Sequence, residues 1–313
     1  MRKYDRNAAF NILFKAILAV VTGAGCFMLL RYLCRFDLSV SAAVSALAAL
    51  LVVLLFSFLL RYTRFYYAYY SFVSHFLFTD KAGNVYCPCC GKHFGQFRDE
   101  RFYEDTSRFN PSAFAGAKQD VICDFCRSAP RHRIIAEWAD LHINKLRSSR
   151  ILYFAPELSM MLWFRRKGIH PSTADLYDRR AALRLDITAI DLPDNSQDIV
   201  VCNHVLEHVS DYELALSELH RILRSRGILI ISFPVDPSSD SVIEMKDSTP
   251  EERIRYCGQH DHLRLFGNNS AGILENAGFE VSTIDLTDMP DDIMPVTGPA
   301  CYDTNKIFCC IRK

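Results

Sequence analysis

DITAIDLPDNSQDIVVCNHVLEHVSDYELALSELHRILRSRGILIISFP, residues Asp186 to Pro234, is the stretch whose reading decides the fold. Asp198–Cys202 is a short run whose apolar continuity suits a strand buried on both faces, as in a parallel sheet. Ser210-Asp211-Tyr212-Glu213 has the form of a capping box, a hydroxyl and a carboxylate placed to satisfy the first free amides of a helix. Leu216, Leu219, Ile222 and Leu223 then fall on one helical face. Arg221 and Arg224 stand at the negative end of that helix, and Gly227 offers a stop. Ile228–Phe233 is the next strand. Strand, helix and strand in this order predict a parallel sheet covered by helices.

The same alternation extends in both directions. Upstream, Arg131–Leu146 has helical apolar spacing, Ile151–Phe154 is a short strand, and Leu158–Lys167 is a helix ended by Gly168. Ser172–Leu176 and Leu183–Ile187 read as two more strands. Downstream, Asn269–Ala277 is a helix, and Phe279–Ile284 and Lys306–Ile311 are strands.

Before this domain the chain changes character. Ile12–Leu30 and Leu38–Leu60 are almost wholly apolar, and each approaches the roughly 20 residues a helix needs to cross a bilayer core. The polar link Arg31–Asp37 between them predicts a transmembrane helical hairpin. A signal peptide is the rival reading of the first segment, but the second span follows at once and no small-residue cleavage site separates them. Lys15 is near enough to the first span's start to snorkel to the interface. Arg2, Lys3, Arg6, Lys15, Arg61 and Arg64 flank the pair, against Arg31 and Arg35 in the link, which places both termini in the cytoplasm. Arg61–Phe76 is dense in tyrosine and phenylalanine, as suits a headgroup zone; it reads either as a plain continuation of the second span or as an interfacial helix that presents lipid-like substrates.

Twelve cysteines include two C-x-x-C pairs, Cys87/Cys90 and Cys123/Cys126. Two such pairs bring four thiolates onto one tetrahedral zinc, with no position left for water, so the predicted role is structural. Gly91 follows the first pair, as a tight thiolate knuckle favours, and Cys89 competes with Cys90 as ligand. Disulfides fit poorly with a reducing compartment. Cys202, Cys301, Cys309 and Cys310 lie in apolar runs and read as packing residues, while Cys26 and Cys34 belong to the hairpin. Lys plus Arg and Asp plus Glu are equal at 36 each, which gives no reason to expect a nucleic-acid partner.

The 186–234 stretch resembles the central half of class I S-adenosylmethionine-dependent methyltransferases of the type-11 group: an acidic residue, a Leu-Pro segment, a strand, H-V-L-E-H-V, a helix, a glycine and a strand. The resemblance runs from about Ile151 to the C-terminus. The cysteine pairs ahead of Ala155-Pro156-Glu157 resemble a bacterial subgroup of such enzymes that carry a zinc ribbon. The resemblance implies a Rossmann-like α/β fold with a seven-stranded sheet ending in an antiparallel hairpin. The implied organisation is two membrane helices over 1–62, an aromatic interfacial segment over 63–80, a zinc-ribbon-like module over 81–130 and a methyltransferase domain over 131–313.

In such a fold S-adenosylmethionine lies across the carboxyl ends of the strands. The family's glycine-rich loop after the first strand is replaced here by Phe154-Ala155-Pro156-Glu157. Ala155 is small enough for close approach, and Glu157 can meet the cofactor's amino group. Asp175 ends the second strand, where a carboxylate accepts ribose hydroxyls, or else is a solvated loop acid. Asp186 and Ile187 match the family's adenine contacts; a turn-capping aspartate is the plainer reading. Asn203 and His204 follow the fourth strand at the mouth of methyl transfer, and His204 acts there in catalysis or merely orients. Glu207 and His208 read as structural. Gly258–Arg264 contains His260, Asp261 and His262, read first as an acceptor pocket with a general base, and otherwise as a metal site or a polar loop.

The expected activity is O-methylation of a membrane-proximal, lipid-linked or small-molecule acceptor at the cytoplasmic face of a bacterial inner membrane. The competing class is a non-catalytic membrane adaptor that keeps the fold and binds a partner through the ribbon. A nicotinamide-dependent dehydrogenase would want G-x-G-x-x-G after the first strand, and the chain has none there.

Overall fold

A computed structural model describes residues 6–29, 38–63, 65–76, 83–100, 118–236, 238–284 and 306–313. The link 31–37 (with Arg31, Arg35 and Cys34), the flanking Arg2, Lys3 and Arg64, and Cys301 lie outside the described residues. The chain divides into two units, Met1–Val73 and Ser74–Lys313.

The first unit holds three helices, Arg6–Met28, Leu38–Tyr62 and Phe65–Phe76. Among the described residues one helix, Leu38–Arg61, is long and apolar enough to cross a membrane, with a mean hydropathy of 2.8. The first helix contains the shorter apolar section Lys15–Met28 among the described residues. The first two helices pack side by side, and small residues let them approach. A Cβ placed on Gly23 would lie 3.6 Å from that of Ala49. The aromatic helix folds back on the second: Phe56 meets Phe65 and Tyr69 edge-on at 5.9 and 5.3 Å, and Tyr67, Tyr69 and Tyr70 are buried.

The second unit opens with two antiparallel ribbons, β1 (Val85–Cys87) with β2 (Lys92–Phe94), and β3 (Arg98–Glu100) with β4 (Lys118–Ile122). Helices Pro130–Leu141 and Ile143–Arg147 lead into β5 (Ile151–Phe154). Helix Leu158–Arg166, β6 (Ser172–Ala174), β7 (Gln197–Asn203), a 3-10 turn at Leu206–His208, helix Tyr212–Ile222 and β8 (Leu223–Ser232) follow. Then come β9 (Ile243–Glu244), helix Pro250–Cys257, β10 (Arg264–Leu265), helix Ser270–Asn276, β11 (Phe279–Ile284) and β12 (Ile307–Arg312). The main sheet has the order β11-β12-β8-β7-β5-β6. Strands β5 to β8 run parallel, and β12 is antiparallel to both its neighbours. Alternate residues of β5, β7 and β8 enter a core with Leu216, Leu219 and Ile222 of the covering helix and with Phe233, Phe266 and Phe279.

The main sheet has six strands among the described residues, where seven are expected. The strand expected at Leu183–Ile187 is reduced to one parallel bridge, Leu183 to Ala174. Its backbone then turns at once, with Asp186 opposite Ala189. The helix after β7 is capped by Asp211, whose carboxylate accepts from Leu214 N–H, rather than by Ser210. That helix ends at Ile222 and passes directly into β8, and the step toward Gly227 is absorbed as an irregularity in the β7–β8 register.

Candidate active site and metal centre

Two similar turns build the cysteine centre. Gly91 N–H donates to Cys87 C=O at 2.7 Å, and Arg127 N–H to Cys123 C=O at 3.0 Å. Gly91 and Arg127 both adopt left-handed backbone angles, φ 71° and 63°. The Sγ atoms of Cys87, Cys90, Cys123 and Cys126 are buried and lie within 4.8 Å of one another. Cys87 and Cys126 are 3.6 Å apart and Cys90 and Cys123 3.8 Å. A tetrahedral zinc with Zn–S of about 2.3 Å separates its sulfurs by about 3.8 Å, so the donor set fits the metal. Cys89 is buried but outside this group. The described cysteines are free of disulfides.

Two arginines join this module to the sheet domain. Arg133 is fully buried, donates to Val121 C=O and Ser128 C=O at 2.8 Å each, and stacks 4.2 Å over Phe97. Burial pushes its guanidinium pKa down, and the neighbouring thiolates of Cys87, Cys89, Cys123 and Cys126 oppose that. A buried cation is costly unless paired, and four thiolates on a zinc ion would carry the compensating negative charge. Arg166, at the end of the helix after β5, donates to Pro88 C=O at 2.8 Å.

The carboxyl ends of β5, β6 and β7 carry most of the residues expected to bind a cofactor. The sheet order β6-β5-β7 makes the junction of β5 and β7 a topological switch point, where α/β sheets open a crevice. Ala155 there has φ 48°, a conformation glycine adopts at lower cost, and its N–H donates to Ala174 C=O. Glu157 is held by its own chain. Its Oε1 accepts from Arg131 Nη2 at 2.7 Å, and His132 Nε2 stands 2.6 Å from the same oxygen. His132 Nδ1 accepts from Ala129 N–H at 2.8 Å, so the ring's proton sits on Nε2. Burial raises the Glu157 pKa, but His132 and Arg131 outweigh it and hold the carboxyl well below the usual range.

Asp175 is half-buried after β6, and its Oδ1 accepts from the N–H groups of Tyr177 and Asp178 at 2.7 Å each. Asp186 is exposed, and its Oδ1 accepts from Thr188 N–H at 2.9 Å and Thr188 Oγ1 at 2.7 Å. Ile187 is packed in the core. Asn203 is buried at the end of β7; its Oδ1 accepts from Ser232 Oγ, and its Nδ2 has no partner among the described residues. His204 has a left-handed φ of 51°, with Nδ1 3.0 Å from Glu207 Oε1 and Nε2 buried without a partner among the described residues.

Segment 258–264 is fastened beside these groups. Leu263 N–H donates to Glu207 C=O at 2.7 Å, and the fully buried Arg264 donates to the carbonyls of Leu206 and Val209 and to Glu244. His262 is buried against Glu207 and His208, whereas His260 is exposed and outside that group. Reading the sequence alone passed over Arg131, His132 and Arg264 and took Glu207 for structural. The helix start Ala129-Pro130 and the close spacing of His204, Glu207 and His208 were the available signals.

A family model described as "Methyltransferase domain" matches residues 160–231. Among curated proteins no relative matches. Solved structures with a related fold include a 1,6-didemethyltoxoflavin-N1-methyltransferase from Burkholderia thailandensis with bound 1,6-didemethyltoxoflavin and S-adenosylhomocysteine. It is 15% identical, covers 58% of this chain and 78% of its own, and has a TM-score of 0.37. An S-adenosylmethionine-dependent methyltransferase from Mesorhizobium loti is 14% identical over 56% of this chain and 97% of its own, at a TM-score of 0.41. The YcgJ protein from Bacillus subtilis is 14% identical over 56% and 94%, at 0.34. Scores this low carry no inference about activity. The segment similar to that methyltransferase domain runs from the helix after β5 into β8, through the Asn203–His208 turn.

Proposed function

We propose that this protein is a membrane-anchored S-adenosylmethionine-dependent methyltransferase that methylates an oxygen of a membrane-proximal or lipid-linked acceptor. The observation that carries the reading is the juxtaposition at the carboxyl edge of β5, β6 and β7: Ala155, Asp175 and the Asn203–His204 pair stand at the ends of three adjacent strands, two of which, β6 and β7, lie within the matched segment. In the proposed complex the carboxylate of Asp175 takes the ribose hydroxyls with its second oxygen, its first being held by two amides. Asp186 and Ile187 flank the adenine, which requires Asp186 to use the oxygen that Thr188 leaves open. The unpartnered Asn203 Nδ2 and His204 Nε2 supply a donor and a proton-transfer group at the methyl end. Catalysis comes mainly from alignment of the sulfonium methyl with the acceptor, for which no strong base is needed. Zinc on the four cysteines serves structure.

A non-catalytic adaptor is the second reading, and one observation favours it: Glu157 is engaged by Arg131 and His132 instead of being free for a cofactor amino group. Calorimetry with S-adenosylhomocysteine separates the two. The enzyme reading expects saturable binding weakened by about tenfold to a hundredfold in Asp175→Ala, the cost of about one to two charge-assisted hydrogen bonds. Absence of binding by the intact, zinc-loaded protein would sink it in favour of the adaptor.

A further inference from the structure

Beside the crevice, outside the zinc centre, Glu207, His208 and His262 each offer one ligand atom, and the three lie within 4.8 Å of one another. Two separate pieces of the chain supply them: the 3-10 turn after β7, and the loop between helix Pro250–Cys257 and β10. Glu207 is fully buried, and its Oε2 has no partner among the described residues. His262 is 2% exposed; its Nδ1 is 2.8 Å from Cys257 C=O and must donate to it, and its Nε2 has no partner among the described residues. A neutral His262 thus turns a lone pair toward the lone pairs of a carboxylate. Two acceptors converging in a buried site are unfavourable unless a cation joins them. A second proton on His262 is one such cation, and a metal ion is the other. A third ligand, His208, stands at the same point.

We propose that Glu207, His208 and His262 form a binding site for a divalent first-row transition-metal ion, separate from the four-cysteine centre. Two imidazoles and one carboxylate suit zinc, manganese or iron and leave coordination positions open. The Nδ1 of His262 on a carbonyl and of His208 near Asp261, 3.3 Å from Oδ2, are the outer contacts that orient histidine ligands. Leu263 N–H on Glu207 C=O and Arg264 on Leu206 and Val209 hold the two ligand-bearing segments together without the ion. His204, joined to Glu207 Oε1, connects the site to the end of β7, so an oxygen ligand taken up by the metal would sit at the crevice. The site stands independently of the methyl-transfer reading.

The test is metal stoichiometry of the full-length protein, saturated with zinc, dialysed and measured by mass spectrometry. Two equivalents per chain are expected, falling to one in His262→Ala and in Glu207→Gln. His208→Ala, at a third-exposed position, gives the same readout should Glu207→Gln fail to fold. Cobalt substitution adds a spectroscopic check. The difference between wild type and His262→Ala should show d–d bands without the sulfur-to-cobalt charge transfer that thiolates give. A single equivalent in the saturated wild type, or a second one that survives the substitutions, overturns the proposal.

Discussion

Glu157 is held at the carboxyl edge of the sheet by Arg131 and His132. Its place after β5 is legible, but Arg131 and His132 reach it from the start of another helix, and only tertiary packing brings them within 2.7 Å. Its folded pKa is depressed below that of an unfolded glutamate, about 4.3. The stabilisation is therefore fully present above about pH 4.3 and is lost as pH falls through the folded pKa. We expect Glu157→Gln to cost about 2 kcal/mol near neutral pH, the worth of charge-assisted hydrogen bonds. Denaturant melts of both proteins at several pH values check this: the gap between them should close as pH drops below 4.3, and a gap independent of pH would refute the ion-pair account. Glu207 and His262 teach the same lesson at greater range. The local spacing His204, Glu207, His208 is visible, whereas the partner His262 arrives through a loop and no spacing rule connects them.

At the scale of elements, legibility follows how locally each element is specified. Ile151–Phe154 and Phe279–Ile284 form at the residues expected, the first a short apolar run and the second a β-branched stretch opened by the buried Phe279 after Gly278. Leu183–Ile187 alternates like a strand, yet the Thr188 hydroxyl and amide draw Asp186 into a turn, and only Leu183 pairs. Helix Pro250–Cys257 has a capping box, Thr249 with Glu252, but little apolar periodicity to announce it. The cysteine module is the best-read element because both halves of its chemistry are local C-x-x-C turns. Its glycine carries a prediction. Gly91 adopts φ 71°, and an added Cβ would overlap the Arg166 guanidinium. Gly91→Ala should cost about 1–2 kcal/mol for the left-handed backbone alone, with more from displacing Arg166 off Pro88. Zinc release to a chromogenic chelator should then be about tenfold faster or more; an unchanged rate would show that the knuckle does not depend on this residue.

For the whole molecule, the sequence divides into an apolar part and a mixed part, and the units Met1–Val73 and Ser74–Lys313 place that division about ten residues past the second helix. The anchor proposal belongs at this scale. Leu47, Leu50, Leu51, Leu54, Leu55 and Phe58 of the Leu38–Arg61 helix are each more than half exposed. The hydroxyls of Ser45 and Ser57 bond to carbonyls four residues back, Ser41 and Val53, and so ask nothing of solvent. Transfer of six such apolar side chains from water to hydrocarbon is worth about 2 kcal/mol each, which is beyond what salt or high pH can reverse. Full-length protein should therefore stay with membranes through high salt and alkaline carbonate and leave only with detergent. Residues 74–313, which hold the sheet core and both candidate centres, should be soluble when expressed alone and bind S-adenosylhomocysteine with the affinity of the full chain. Lysines at both Leu51 and Leu54 should weaken insertion by about 5–7 kcal/mol if these positions lie near the bilayer centre. Release of the unaltered protein by carbonate would mean that this helix is covered by protein instead of lipid, and the acceptor would then no longer be sought at a membrane.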